Sequence, residues 1–135
     1  MTDGRALRLG RGDDWVALAY DVLVENDARI PDGASAVGRT GDAIPVRSAF
    51  DPDLPWVTVT SRDGEYRATI PADQLRDGGL LLVGSGDAPL GPEHGGPIRL
   101  VVSEGSTLCW NVKDVASLHA TQDPLPDSLP EILTH

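Results

Sequence analysis

The chain has 135 residues, a length that predicts a single domain over 1–135, and its net charge is −10. Its single cysteine, Cys109, excludes both a disulfide framework and a zinc-thiolate cluster. The acidic balance, with no basic run, argues against nucleic acid or an anionic membrane surface as a partner. No apolar run approaches the length of about 18 residues that a membrane-spanning helix needs. The first residues also lack the hydrophobic region of a secretory signal peptide, so we expect a cytoplasmic protein with no membrane contact.

The N-terminal region gives two expectations. Residues 1–13 are polar and rich in Gly and Arg, which predicts a loose arm. Trp15, Leu18 and Val22 follow helical spacing, which predicts a helix over about 14–26. The β-branched valines of the same stretch leave a strand as the alternative.

Residues 27–55 are rich in Gly, Pro, Asp and Ala and contain a candidate strand at 43–50. A segment of this length is too long for an idle loop, so it is either functional or poorly ordered. If it folds back as the second wall of a pocket, its hydrophobic residues would anchor it. These are Val37, Ile44, Val46 and Phe50.

Beyond residue 55 the pattern is that of a β-rich domain. A hairpin is predicted over 56–70, because strand formers flank Asp63–Gly64, a strong turn signal. The further predicted elements are a short helix over 71–79, buried strands over 80–85 and 97–105, a strand, bend and strand over 108–120, and an irregular tail. The expected fold class is α+β, with a mixed or antiparallel sheet and a few short helices.

The stretch "PLGPEHGGPIRLVV" places His94 and Arg99 five residues apart around two glycines, directly before a strand. One interpretation is a turn in which a backbone group satisfies His94 and Arg99 points outward from a sheet edge. The other is that the two cations bind an anion together. Lys113, the only lysine, would by itself be assigned to solvent, as would His119.

Several motifs in order carry a resemblance to a known family. "SRDGEYRATI", "GDAPLGPEHGGPIRLVV" and "NVK" resemble the second half of the sulfite-oxidase-fold molybdopterin-binding domain, over about residues 56–120. The resemblance implies a shortened fold of that type and a molybdopterin cofactor. By motif position, the residues implied to contact the pterin are His94, Arg99 and Lys113, with neighbouring backbone contacts from Asn111 and Val112.

The sequence departs from the family at the metal ligand. In the catalytic members a cysteine thiolate upstream of the hairpin ligates molybdenum, whereas here no cysteine precedes Cys109. A buried small hydrophobe is the simplest role for Cys109. The first hypothesis is therefore a degenerate, non-catalytic domain that retains a pterin or other anion pocket, or has lost its cofactor altogether.

Two alternatives stay open. The chain could be a small molybdenum-dependent oxidoreductase with a shortened site, whose metal ligand is Cys109 or comes from a partner chain. It could instead be a domain with an empty pocket that binds another protein. Whether the protein is an enzyme is not decided by the sequence.

Overall fold

The structure, a computed structural model, describes residues 6–51, 53–85, 88–102 and 111–124, apart from the side chain of Val37. The strands in these ranges are β1 (Leu7–Arg11), β2 (Asp14–Leu18), β3 (Asp42–Pro45), β4 (Trp56–Ser61), β5 (Arg67–Pro71), β6 (Gly79–Val83), β7 (Arg99–Val102) and β8 (Val115–Thr121). The helices are α1 (Tyr20–Val24), α2 (Val46–Ala49) and α3 (Ala72–Gly78), and 3₁₀ turns lie at Gly33–Val37 and Pro92–His94. This confirms the expected β-rich α+β class.

The strands form two sheets. The larger has the order β2-β1-β8-β4-β5 and is mixed, because β1 and β8 run parallel while its other pairs are antiparallel. The smaller has the order β3-β6-β7 and is antiparallel throughout. Within the described residues, no helix is long and apolar enough to cross a lipid bilayer.

The N-terminal predictions are wrong over most of their length. Instead of a loose arm and a long helix, β1 and β2 form a hairpin, and only Tyr20–Val24 is helical. The turn is Gly12–Asp13, with Gly12 at a φ of 61°. The strand that the sequence left open as the alternative is present at Asp14–Leu18, where pairing with β1 overrides the helical spacing around Trp15. Residues 1–5 lie outside the described ranges.

The segment 27–55 is folded rather than poorly ordered. It contains the first 3₁₀ turn, β3 and α2. The candidate strand at 43–50 is half correct, because the chain turns into α2 directly after Pro45. Two of the suggested anchors, Ile44 and Val46, are fully buried, and Phe50 packs partly buried against the core.

The second half of the chain largely agrees with its predictions. β4 and β5 form the expected hairpin, and Gly64 at its turn has a φ of 77°. Hydrogen bonds that Asp63 accepts from the Ser61 hydroxyl and from the backbone N–H of Glu65 lower the pKa of Asp63. The predicted short helix and the strands β6 to β8 are present. Residues 103–110 and 125–135, which include the rest of the predicted strands and the tail, lie outside the described ranges.

The small sheet is buried on both faces. Its first face, which includes Ile44, Leu81 and Leu100, packs with side chains of the large sheet and the three helices in the main core. Its second face carries a smaller apolar cluster. We call this set the second-face cluster; it consists of Ala34, Ala43, Leu82, Leu90 and Val101. Continuous hydrophobic runs such as "LLLV" are typical of strands that are buried on both faces.

A buried ion pair fixes the segment before β3. Arg29 donates from Nε to Oδ2 of Asp42 at 2.8 Å, and it also donates to the carbonyl groups of Val24 and Gly84. The second carboxylate oxygen of Asp42 accepts the N–H of Asp32 at 2.8 Å. The pair therefore ties the end of α1, the first 3₁₀ turn and the end of β6 together.

We expect Asp42→Ala to lower the free energy of unfolding by about 2 to 3 kcal/mol, because it leaves the partly buried guanidinium of Arg29 without its counterion and the N–H of Asp32 without its acceptor. Urea denaturation measures this. The matched control is Asp51→Ala, which removes the exposed partner of Arg76 and should cost at most about 1 kcal/mol. Equal losses in the two variants would contradict a structural role for the buried pair.

Candidate functional site

The alternation of side chains along β7 places Arg99 on the second face of the small sheet. Leu100 and Val102 point into the main core, so Arg99 and Val101 lie on the opposite face. Arg99 is paired with Leu82 of β6 in the sheet register. A cation thus lies beside an apolar cluster, where its charge must be satisfied locally.

The corner before β7 is held by backbone hydrogen bonds. The 3₁₀ turn at Pro92–His94 ends at Gly95, which has a φ of 83°. Gly96 donates to the carbonyl of Gly91, and the carbonyl of Gly95 accepts the N–H of Asp114 at 2.7 Å. These bonds fix the corner against the bend that precedes β8.

Arg99 is only 8% exposed. Its Nε donates to Oδ1 of Asn111 at 2.8 Å, and its Nη1 donates to the carbonyl of His94 at 3.1 Å. Burial, and secondly the charge of Arg39, lower the pKa of the Arg99 guanidinium. The interpretation of Arg99 as an outward side chain in solvent does not hold.

The three residues of the segment 111–113 play different structural roles near Arg99. Asn111 accepts from Arg99, as described. Val112 is fully buried, and its N–H and C=O both pair with Leu100, at 2.9 and 2.8 Å, so that it holds the segment against β7. Lys113 is exposed, with its stem beside Gly95.

A polar cavity of about 160 Å³ lies at this corner. The residues that line it are Gly38, Arg39, Thr40, Leu82, Glu93, His94 and Arg99. The His94 side chain is half-exposed, and its Nε2 lies 3.9 Å from Oε1 of Glu93. The structure thus brings His94 and Arg99 to one cavity with Asn111 behind them, whereas Lys113 is not among the lining residues.

Arg39 is a cavity residue that the sequence patterns did not single out. The sequence left open whether the segment 27–55 folds back as the second wall of a pocket, and Gly38–Thr40 from that segment does line the cavity. The available signal was an arginine enclosed by glycines, "GRTG", in a segment whose length and composition favoured a function.

The described residues contain no group of three or more His, Cys, Asp or Glu side chains arranged to hold a metal ion. Cys109, the proposed thiolate in one hypothesis, lies outside those residues. His119 lies against the Trp15 ring, with centroids 4.6 Å apart, and its Nε2 is 2.8 Å from the carbonyl oxygen of Gly12. It belongs to the large sheet rather than to the cavity.

We expect Gly95→Ala to displace Arg99, because a Cβ there would lie 2.9 Å from Cδ of Arg99 and 2.9 Å from Cγ of Lys113. Gly64→Ala is the matched control, since Gly64 has a similar φ with nothing within 4 Å of an added Cβ. Both variants should lose about 1 kcal/mol or more of stability through the left-handed backbone. Only Gly95→Ala should shift the NMR resonance of the Arg99 Nε–H; an unmoved resonance would contradict the close packing of this corner.

Comparison with known proteins identifies the family. The sequence model of the oxidoreductase molybdopterin-binding domain matches residues 35–128, well over half of the chain. A comparison with curated proteins finds no match. The matched region begins upstream of the motifs that carry the resemblance, so it includes β3, α2 and the cavity wall at Gly38–Thr40. The chain therefore belongs to the oxidoreductase molybdopterin-binding domain family.

Proposed function

We propose that this protein is a non-catalytic molybdopterin-binding domain that retains the phosphate-binding end of the cofactor site at His94 and Arg99. The observation that carries the proposal is the guanidinium of Arg99, held by Asn111 and by the His94 carbonyl at the wall of a polar cavity. A cation fixed in this way is organised for an anion before the anion arrives.

The donor set suits a phosphate group. Arginine has five N–H donors, and the described contacts of Arg99 use one at Nε and one at Nη1. The remaining donors can meet phosphate oxygens in charge-assisted hydrogen bonds. The half-exposed ring of His94 can add a donor from the other side of the corner.

The size of the cavity limits what it can enclose. Its volume of about 160 Å³ is below the range of about 300–1,000 Å³ that is usual for small-molecule sites. The residues present therefore fit the phosphate end of the pterin cofactor, and the heterocycle would extend out of the cavity. The exposed Lys113 and the neighbouring Asn111 are our candidates for contacts beyond the phosphate, with Val112 holding that segment in place.

For the metal end of the cofactor site, this chain does not offer a set of residues comparable to those at the phosphate end. When bound, the molybdenum cofactor supplies oxygen-atom or electron transfer at its metal. The catalytic relatives that the sequence resembles use a thiolate upstream of the hairpin, and this chain has no cysteine there. The protein's own residues would accordingly bind and orient an anionic group, without a thiolate for the metal.

A molybdenum-dependent oxidoreductase is the second candidate, and one observation favours it. Cys109 lies two residues before Asn111 in the sequence, and Asn111 contacts the cavity residue Arg99.

Cofactor content separates the two candidates. We expect protein purified from a host that makes the cofactor to contain phosphate-bearing pterin, measured by fluorescence after oxidative release, and little molybdenum by elemental analysis. Cys109→Ser should leave the pterin content unchanged. Stoichiometric molybdenum that is lost in Cys109→Ser would support the oxidoreductase instead, and absence of both pterin and metal would overturn cofactor binding.

Arg99→Met tests the assigned pocket. The variant keeps an apolar stem of similar length and removes the charge, so we expect affinity for a phosphate-bearing pterin, measured by calorimetry, to fall by about 10- to 100-fold. Urea denaturation checks folding, because Asn111 loses a hydrogen-bond donor. Unchanged affinity in a folded variant would contradict the assignment.

A further inference from the structure

The loop Gly38–Thr40 lines the cavity and is held in place by backbone hydrogen bonds. Gly38 ends the first 3₁₀ turn at a φ of 72° and donates to the carbonyl of Ser35. The N–H of Arg39 donates to the carbonyl of Ala34 at 2.9 Å, and Ala34 in turn donates to the carbonyl of Gly41. The backbone that carries Arg39 is thereby fixed beside β3.

The charge of Arg39 has no partner among the described residues, in which its side chain makes no hydrogen bond or ion pair. Three other arginines within the described residues are paired with carboxylates: Arg29 with Asp42, Arg62 with Asp114, and Arg76 with Asp51. The sequence has 21 acidic and 11 basic residues, so carboxylates are abundant. The exposed guanidinium of Arg39 at the cavity wall is therefore free to contact a ligand.

Arg39 and Arg99 line the same cavity and repel each other. The charge of Arg39 contributes to lowering the pKa of Arg99, after burial. Two like charges near one cavity disfavour each other, and an anion bound between them would relieve this repulsion. The carboxylate of Glu93 also lines the cavity, and it lies near His94.

The cavity is large enough for a small anion. About 160 Å³ corresponds to about five water molecules at liquid density. A single tetrahedral phosphate group has five heavy atoms. Two guanidinium groups can each donate a pair of hydrogen bonds to such a group, which distinguishes it from a planar carboxylate.

We propose that Arg39 and Arg99 form a two-arginine clamp on one phosphate group, with Arg99 as the buried arm and Arg39 as the exposed arm. This inference rests on the proposed phosphate-binding end of the site and adds the residue that completes it. The phosphate can belong to the pterin, to another phosphomonoester or to free inorganic phosphate, and the clamp would contact all three in the same way.

Titration of the folded chain with inorganic phosphate, followed by calorimetry and by the ³¹P NMR signal, tests the clamp. We expect Arg39→Gln to weaken phosphate binding by at least about tenfold, through loss of charge-assisted hydrogen bonds. The control Arg11→Gln makes the same change of net charge on β1 in the other sheet and should stay within about twofold of the unsubstituted chain. Glu93→Gln should strengthen binding, because it removes a like charge from the cavity.

Three results would overturn the clamp. They are an unsubstituted chain that does not bind phosphate, an Arg39→Gln variant that binds it normally, and an Arg11→Gln variant that loses as much affinity as Arg39→Gln. The third result would mean that the loss of phosphate affinity comes from the change in net charge of the protein rather than from the cavity.

A second set of ligands separates the clamp from the proposed function. The same variants are titrated with phosphate-bearing pterin, with dephosphorylated pterin and with ribose 5-phosphate. If inorganic phosphate and ribose 5-phosphate bind through Arg39 but pterin phosphate binds no better, the clamp stands and the pterin-binding function fails. If pterin phosphate binds tightly and Arg39→Gln leaves its affinity unchanged, the function stands and the clamp fails.

Discussion

The buried guanidinium of Arg99 is the constraint on which the arrangement of the cavity depends. Strand alternation in β7 places this cation beside the second-face cluster, where water cannot solvate it well. Asn111 and the His94 carbonyl accept its hydrogen bonds, and the main-chain bonds of Gly95 and Val112 hold those acceptors in position. One buried charge thereby fixes the corner before β7 and the bend before β8 relative to each other.

The opposite wall depends on a second buried charge. The ion pair of Arg29 and Asp42 ties the first 3₁₀ turn to β3 and β6, and so sets where the loop Gly38–Thr40 stands. The two walls come from segments that are distant in the sequence, and they meet only because β3 and β7 both pair with β6. In the proposed clamp, the negative charge of the phosphate would offset the positive charges of Arg39 and Arg99 between these two walls.

The chain belongs to the molybdopterin-binding domain family but has no cysteine upstream of the hairpin. The anion-binding part of the site and its metal-binding part therefore differ in how many of their residues are present. The part of the fold that would hold an anion is well formed, with fixed donors and a cavity of suitable size. Within this chain, by contrast, Cys109 is the single cysteine that could supply a thiolate for the metal. A fold does not by itself determine function, so a catalytic role rests on the residues of the site rather than on the packing of the two sheets.

The sequence by itself determined those elements that depend on neighbouring residues alone. The turn at Asp63–Gly64, the helix after Pro71 and the apolar runs of β6 and β7 follow from turn chemistry and side-chain period alone. The hairpin motif, the motif around His94 and Arg99, and the NVK motif, in this order, were together enough to indicate the family. Only the tertiary structure decided that Asp14–Leu18 is a strand, because pairing with β1 overrides the helical spacing of its side chains. Only the tertiary structure could place Arg39 and Arg99 at one cavity, since this depends on the packing of two walls around β6 and leaves no periodic signal in the chain.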